Sequence, residues 1–231
     1  MPETESKSIR AGAGWQLAIF DCDGVLVDSE GLAHQVLIEA LAEIGLDLAL
    51  ERAIGIFIGN TLEQNVAVIE SLLGQPLPTG FFPEWRERLY ARFRAEPVRP
   101  IDGIVDVLDA LSIPACVVSN GPLRKMQTTL GVTGLLDRFG RHLYSSDSGL
   151  PGKPAPDLFL AAARDFGASP AASFVVEDSP KGVAGAVAAG MTVFAYAGGG
   201  HVDPGELARF GARVFNDMKD LPGLIAGARP V

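Results

Sequence analysis

Short apolar runs recur along the chain, each closing on a small or acidic residue: Leu17–Phe20, Ala115–Val118, His142–Tyr144, Phe174–Val176 and Val193–Ala195. Their hydrophobicity is continuous rather than alternating, the pattern of parallel strands covered on both faces. Helical spacings lie between them. Ile104, Val105, Leu108 and Leu111 fall on one helix face. Pro122 opens a helix that Gly131 closes, and Pro180 one that Gly190 closes. Strand, helix, strand in repetition predicts a doubly wound α/β parallel sheet.

The interval after the first run breaks this alternation. Residues 30–97 carry no strand pattern and several helical ones. Leu32, Val36, Ala40, Leu41 and Ile44 form an amphipathic stripe that Gly45 closes. Thr61 with Gln64 makes a capping box for a helix running to Gly74, and Glu84–Ala95 reads as an arginine-rich helix. The chain therefore divides into a tail over 1–14, a core built from 15–29 and 98–231, and an inserted α-helical cap over 30–97. The cap is expected to act as a lid over the sheet. Helices that merely extend the core are the plainer alternative.

Composition narrows the function. At 231 residues the chain suits one core plus an inserted piece, and 48% hydrophobic residues fit a globular protein with a sizeable core. No apolar run approaches the roughly 20 residues that span a bilayer, and the polar start lacks the apolar stretch of a signal peptide. Cys22 and Cys116 sit inside apolar runs and read as buried free thiols, which fits a reducing cytoplasm. A monomer with no membrane partner is expected. The net charge of −9 argues against a nucleic-acid surface. It also requires a local cation for any anionic substrate.

Polar residues gather where the runs end, and in open parallel sheets ligands bind beyond the carboxyl ends of the strands. The first run leads into Asp21-Cys22-Asp23-Gly24, the second into Ser119-Asn120-Gly121. The third is followed, after a loop, by Gly152-Lys153-Pro154, and the fourth leads into Glu177-Asp178-Ser179. One such cluster is a turn or a cap; four at one sheet edge are a site. Together they have the chemistry of phosphoryl transfer. Asp21 and Asp178 are placed to hold Mg²⁺, an oxygen-seeking ion that keeps several waters, with Glu177 acting directly or through water. One carboxylate attacks phosphorus and splits the reaction into two steps, while another two residues along protonates the leaving alcohol. Residues i and i+2 share a face, so Asp21 and Asp23 point the same way. Ser119 donates a hydroxyl, Cys22, Asn120 and Gly121 lie against the phosphate, and Lys153 supplies a fixed positive charge. A small phosphorylated metabolite is the implied partner.

FDCDGVLVDSE, VVSNG, GKPAPDLF and VVEDSPKGVAGAVAAGM resemble the four motifs of the haloacid-dehalogenase-like hydrolases, and more narrowly their β-phosphoglucomutase-like branch. The resemblance covers about residues 17–200. It implies a Rossmann-like core, Asp21 as nucleophile and Asp23 as acid and base. It also implies Mg²⁺ held by Asp21, the backbone carbonyl of Asp23, and Asp178. CVVSNGPLRKMQ is further similar to bacterial phosphatases of 6-phosphogluconate and related sugar phosphates.

Other readings account for less. Phosphosugar mutases of the same branch usually carry a His and an Arg where this chain has Ala33 and Leu62, the latter after Gly59. Haloacid dehalogenases lack an Asp at the place of Asp23. Receiver domains are about half as long and carry the acceptor Asp after the third strand. Outside the motifs, Asp28, Ser29 and Glu30 are expected to cap the first insert helix. Lys181 and the cluster Arg86, Arg88, Arg92 and Arg94 are read as solvated faces, and no chemistry is assigned to His34, His142 or His201. Arg124 and Lys125 could face the site from the helix after Ser119. With Asn60, Thr61 and Gln64 they form a polar set suited to a sugar or sugar acid.

Overall fold

The structure, a computed structural model, describes residues 14–57, 62–200 and 202–230, apart from the side chains of 62 and 63. The expected tail up to residue 13, Gly59, Asn60, the Thr61 half of the capping box and His201 lie outside the described residues. In chain order the elements begin with β1 (Leu17–Phe20) and β2 (Val27–Asp28). The helices α1 (Glu30–Glu43), α2 (Leu50–Phe57), α3 (Leu62–Leu73) and α4 (Phe81–Ala95) come next. Then follow β3 (Arg99–Pro100), α5 (Ile104–Ala110), β4 (Ala115–Ser119), α6 (Leu123–Val132), α7 (Leu136–Phe139) and β5 (Leu143–Ser145). The chain ends through α8 (Asp157–Asp165), β6 (Ser173–Glu177), α9 (Pro180–Ala188), β7 (Thr192–Tyr196), α10 (Pro204–Ala208), β8 (Arg213–Phe215) and α11 (Leu221–Ala226).

Among the described residues, six parallel strands form one sheet in the order β5-β4-β1-β6-β7-β8. The continuous apolar runs are explained by burial on both faces. Leu17 and Ile19 of β1 join Cys116, Val118, Val175 and Val193 in a cluster with Leu158 and Phe159 of α8 and Val183 and Ala186 of α9. The alternate residues Ala18, Phe20, Val117, Phe174 and Phe194 are equally buried, and there Phe20 meets Phe139 of α7 while Phe174 stacks edge-on against Trp15 and Phe194. Each such side chain stabilises by about 1.5–3 kcal/mol, so a polar residue on either face of β1 is costly. The first polar positions come where the strands end, and that is where the candidate site begins.

The chain separates into two compact units, Met1–Asp28 with Arg99–Val231, and Ser29–Val98. The break falls at a short antiparallel pair in which Val27 faces Pro100 and Asp28 faces Arg99. Inside the helical unit, Leu37, Ala40 and Leu41 of α1 pack with Ala53, Phe57, Ile69 and Phe81. Gly45 follows α1 in the left-handed conformation, φ 90°, which ends the helix where the stripe predicted.

Several local expectations shift. β8 has no continuous apolar run, because it is a three-residue edge strand whose Arg213 is exposed. α6 continues past Gly131 to Val132, and the left-handed residue beyond it is Gly134, φ 72°. α4 starts at Phe81, after a left-handed Gly80. Ser29 sits at the N-cap of α1 but makes no side-chain cap bond, so the expected capping role does not hold there. Gly198, in the loop after β7, stands where a Cβ would lie 2.3 Å from the Asn216 carbonyl, so the chain there is closely packed.

Candidate active site

β1 ends in a tight turn that aims alternate side chains to opposite sides. The Cys22 carbonyl accepts from the N–H groups of Leu26 and Val27, each at 3.0 Å, and Gly24 takes φ 80°. Asp21, 8% exposed, points to one side. The Cys22 thiol points to the other and lies 3.8 Å from the Thr129 hydroxyl on α6. Burial, followed by the charges of Asp23 and Asp21, pushes this thiol well above its ordinary range, and burial raises Cys116 likewise. Both thiols are wholly buried.

The central contact is a buried lysine between two acids. Lys153 Nζ donates to Asp21 Oδ1 and, at 2.5 Å, to Glu177 Oε1. Lys153 is 7% exposed and Glu177 is wholly buried. Burial opposes the lysine charge, but Asp21 and Glu177 outweigh it and hold Lys153 above its ordinary value. Burial pushes the Asp21 carboxyl up to about 7; Lys153 pulls it down, while Glu177 and Asp23 push it further up. One ammonium thus serves two desolvated carboxylates, and the excess negative charge is the kind that a divalent cation relieves.

Glu177 itself is fully engaged. Its Oε2 accepts from the N–H groups of Asp178 and Ser179 and from the Ser179 hydroxyl, at 2.9, 2.8 and 2.9 Å. Ser179 in turn caps α9, its Oγ accepting from the Gly182 N–H at 3.0 Å, with Pro180 in the first turn. The Glu177 carboxylate therefore ties Lys153 to the start of α9. The neighbouring Asp178 turns instead to the β1 turn: a Cβ on Gly24 would lie 1.9 Å from Asp178 Oδ2. Gly24 is required there twice over, by its φ and by this approach.

A second set of bonds builds the loop after β4. Ser119 is 3% exposed, and its Oγ accepts the Gly121 N–H at 3.0 Å, leaving the hydroxyl hydrogen to donate. Asn120 clasps the main chain of Lys153 in both directions, its Nδ2 donating to the Lys153 carbonyl at 2.9 Å and its Oδ1 accepting the Lys153 N–H at 2.7 Å. The Asn120 side chain thus positions the lysine segment, and the Lys153–Pro154 peptide beside it is cis. Ser145 donates to the Gly121 carbonyl at 2.7 Å and Ser146 to the Asn120 carbonyl at 2.8 Å. Asp147 accepts the Leu123 N–H at 3.1 Å and so caps α6 from another segment. These three bracing residues were not foreseen, although their place just after an apolar run is the signal shared by the four motifs.

Asp21, Asp23, Ser119, Asn120, Gly121, Lys153, Glu177 and Asp178 all belong to the sheet-bearing unit, and the bonds above bring their segments together. From α6, Lys125 Nζ meets Asp23 Oδ2 at 2.9 Å. Within the helical unit, Arg88 and Arg92 of α4 line a groove of about 380 Å³. Arg88 pairs with Glu43, and Arg92 with Glu39 and Glu96. Their charges are already matched within that unit, on an exposed face, with α1 supplying two of the three acids. His34 bonds within its own helix, to the Glu30 carbonyl at 2.9 Å.

Among the described residues no three acidic, histidine or cysteine side chains cluster tightly enough to hold a metal by themselves. The set that the resemblance implies contains two carboxylates and one main-chain carbonyl, with Glu177 expected beside them directly or through water, which suits Mg²⁺ because that ion keeps several waters. Asp178 standing against the Asp23–Gly24 turn, and the unbalanced charge at Asp21, both fit such an ion.

A family model described as haloacid dehalogenase-like hydrolase matches residues 15–190, and the chain belongs to that family. The chain is 30% identical over 209 residues to 6-phosphogluconate phosphatase of Escherichia coli, covering 90% of this chain and 94% of that protein. It is 38% identical to a haloacid dehalogenase-like protein of unknown function from Agrobacterium tumefaciens, with a TM-score of 0.80 over 93% of this chain and 99% of that one. A family hydrolase from Deinococcus radiodurans, with bound phosphate and sodium, is 34% identical, with a TM-score of 0.77 over 93% and 96% of the two chains. With these motifs on this sheet, the chain is a phosphomonoester hydrolase. Among the described residues, no helix is long and apolar enough to cross a membrane.

Proposed function

We propose that the chain hydrolyses phosphate esters of a small sugar or sugar acid, through an aspartyl-phosphate on Asp21 and with Mg²⁺ as cofactor. The observation that carries the reading is the buried Lys153, shared by Asp21 and Glu177 at the end of β1. It fixes one carboxylate and sets positive charge beside it. Asp21, the Asp23 main-chain carbonyl and Asp178 are assigned to the ion. Glu177, expected to share that duty, is assigned to Lys153 instead, because both of its oxygens are engaged. When bound, Mg²⁺ supplies charge that offsets the phosphate oxygens and favours ionised Asp21.

The steps follow from the residues. An Asp21 oxygen bonds to phosphorus as the ester P–O bond breaks, and Asp23 gives its proton to the departing alcohol. Ser119 donates its hydroxyl hydrogen to a phosphoryl oxygen, and Lys153 balances the charge that develops there. Asp23, now ionised, takes a proton from water whose oxygen bonds to phosphorus. The acyl P–O bond breaks, inorganic phosphate leaves, and Asp21 is restored as a carboxylate.

The substrate class is supported by the likeness to 6-phosphogluconate phosphatase along nearly the whole chain, and phosphate capture by the bound phosphate of the Deinococcus relative. Ala33 and Leu62, at the positions where mutases usually carry His and Arg, favour water over a second sugar as acceptor. Ranking a panel of phosphorylated metabolites by kcat/KM, with free phosphate as readout, tests the reading. Sugar and sugar-acid phosphates are expected to lead. A nucleotide or a phosphopeptide as best substrate would overturn the substrate class, and no turnover of any ester would overturn the activity.

A further inference from the structure

We infer that Lys125 is a positioning residue for the reaction and acts through Asp23. The inference rests on the phosphatase reading above and assigns a role that the four motifs leave open. Lys125 lies in the first turn of α6, and its ammonium meets Asp23 Oδ2 at 2.9 Å. The two side chains are 17% and 14% exposed. Such shielding makes the pair stronger than a surface ion pair, whose worth is about 0–1 kcal/mol.

Two features show that this pairing is built into the fold. Thr129, one turn along the same face of α6, lies 3.8 Å from Cys22, so consecutive residues of the β1 turn meet consecutive turns of one helix. The Gly121 turn also lies directly beside the pair. A Cβ there would be 3.7 Å from both Asp23 Oδ2 and Lys125 Cδ, and 3.3 Å from Ser119 Oγ. The lysine stem thus runs beside the turn that carries Ser119, and its charge falls on Asp23. Lys153, by contrast, is bound to Asp21 and Glu177. The two lysines thus take up three of the four acids, Lys153 two and Lys125 one.

The consequence is read in the first half-reaction, the one that differs between esters. As the ester bond breaks, Asp23 passes its proton to the leaving oxygen and is left as a carboxylate. Lys125 steadies that carboxylate and keeps it aimed at the leaving group. An alkoxide leaving group needs the proton, whereas p-nitrophenolate departs without one. Removing Lys125 should therefore slow alkyl esters far more than the aryl ester, without weakening substrate binding. Lys125 is accordingly withdrawn from the polar set read as contacting the sugar.

The test compares wild type, Lys125→Met, Lys125→Arg and Asp23→Asn on two substrates in saturating Mg²⁺: the alkyl phosphate turned over best in the metabolite panel, and p-nitrophenyl phosphate. For Lys125→Met the ratio of alkyl to aryl kcat/KM, which reports the ester-breaking step, should fall about 10- to 100-fold, at or below the lower end of what general acid catalysis supplies because Asp23 itself remains, with KM steady. Asp23→Asn should shift the ratio in the same direction, and Lys125→Arg, which keeps the charge, should restore most of it. Equal loss on both esters, a rise in KM at constant kcat, or a normal ratio in Lys125→Met would each overturn the inference. If Lys125→Met does not fold, Lys125→Arg decides: a ratio as low as that of Asp23→Asn refutes the charge-pairing role, and a wild-type ratio supports it. Failure of the phosphatase reading would show separately, as wild type inert on both esters.

Discussion

Gly182 makes room for Glu177: a Cβ on this first-turn residue of α9 would lie 1.8 Å from Glu177 Oε1. Replacing a helical glycine with alanine ordinarily stabilises by about 0.5–1 kcal/mol. Here the new methyl must push aside the carboxylate that binds Lys153, a strain of about 1–3 kcal/mol, and the strain wins. Gly182→Ala should lower the melting temperature and cut kcat, both measurable on one preparation. A more stable and fully active variant would show that Glu177 does not hold the lysine.

The two motif aspartates should separate in a rapid-quench experiment with ³²P-labelled substrate. Asp21→Asn is expected to abolish both turnover and protein-bound label. Asp23→Asn should retain Mg²⁺ affinity, because its assigned ligand is a main-chain carbonyl, while kcat drops by about 10²–10⁴-fold. Label persisting in Asp21→Asn would place the nucleophile on another residue.

Metal removal should silence the enzyme. One ammonium faces two buried carboxylates at Lys153, so without a further cation an incoming phosphate meets net negative charge. Dialysis against chelator should reduce turnover more than about 100-fold, and Mg²⁺ should restore it. Ca²⁺ should restore little, because it prefers six to eight ligands at longer distance. Full activity in excess chelator would remove the metal from the mechanism.

The pH dependence of stability in the metal-free protein has a definite sign. Asp21 titrates at about 7 in the fold, against about 3.9 for an unfolded aspartate. Between those values the folded chain binds a proton that the unfolded chain releases, so stability falls as pH rises through the window. Asp21→Asn cannot ionise and escapes this loss. In chelator, the variant should melt higher than wild type at pH 8, with the gap closing by about pH 4. A variant that melts lower at pH 8 would mean that attraction to Lys153 outweighs the cost of burying the charge.

The parallel sheet was legible because burial on both faces leaves an unbroken apolar run, as in Phe174–Val176, and a strand that then turns acidic announces its end. The edge strand Arg213–Phe215 carries no such run, since half of it faces solvent. Residue types named the candidate site, but not the duties within it. Glu177 and Asp178 are adjacent and chemically alike. One is buried against Lys153 and the other stands against Gly24, a division set by strand alternation at the last residue of β6. Lys125 was visible as a charge in the first turn after Ser119. Its partner was not, because the packing of α6 on the β1 turn decides it. Ser145, Ser146 and Asp147 act mainly through main-chain groups of the Asn120 loop, and such contacts leave no pattern in side-chain order.

The antiparallel pair at Val27–Asp28 and Arg99–Pro100 works as a clasp at the base of an insertion. Asp28 and Arg99 sit in register opposite one another, so the sheet-bearing unit itself holds together the two points between which residues 29–98 are spliced. Closing a longer loop adds only about 0.6 kcal/mol per doubling of its length, and here the ends are already fastened. Insertions, deletions or wholesale replacement between those points can accumulate with little effect on folding of the sheet or on the spacing of Asp21, Lys153 and Asp178. Such a junction makes the helical segment and the phosphate chemistry of the sheet separable parts of one chain.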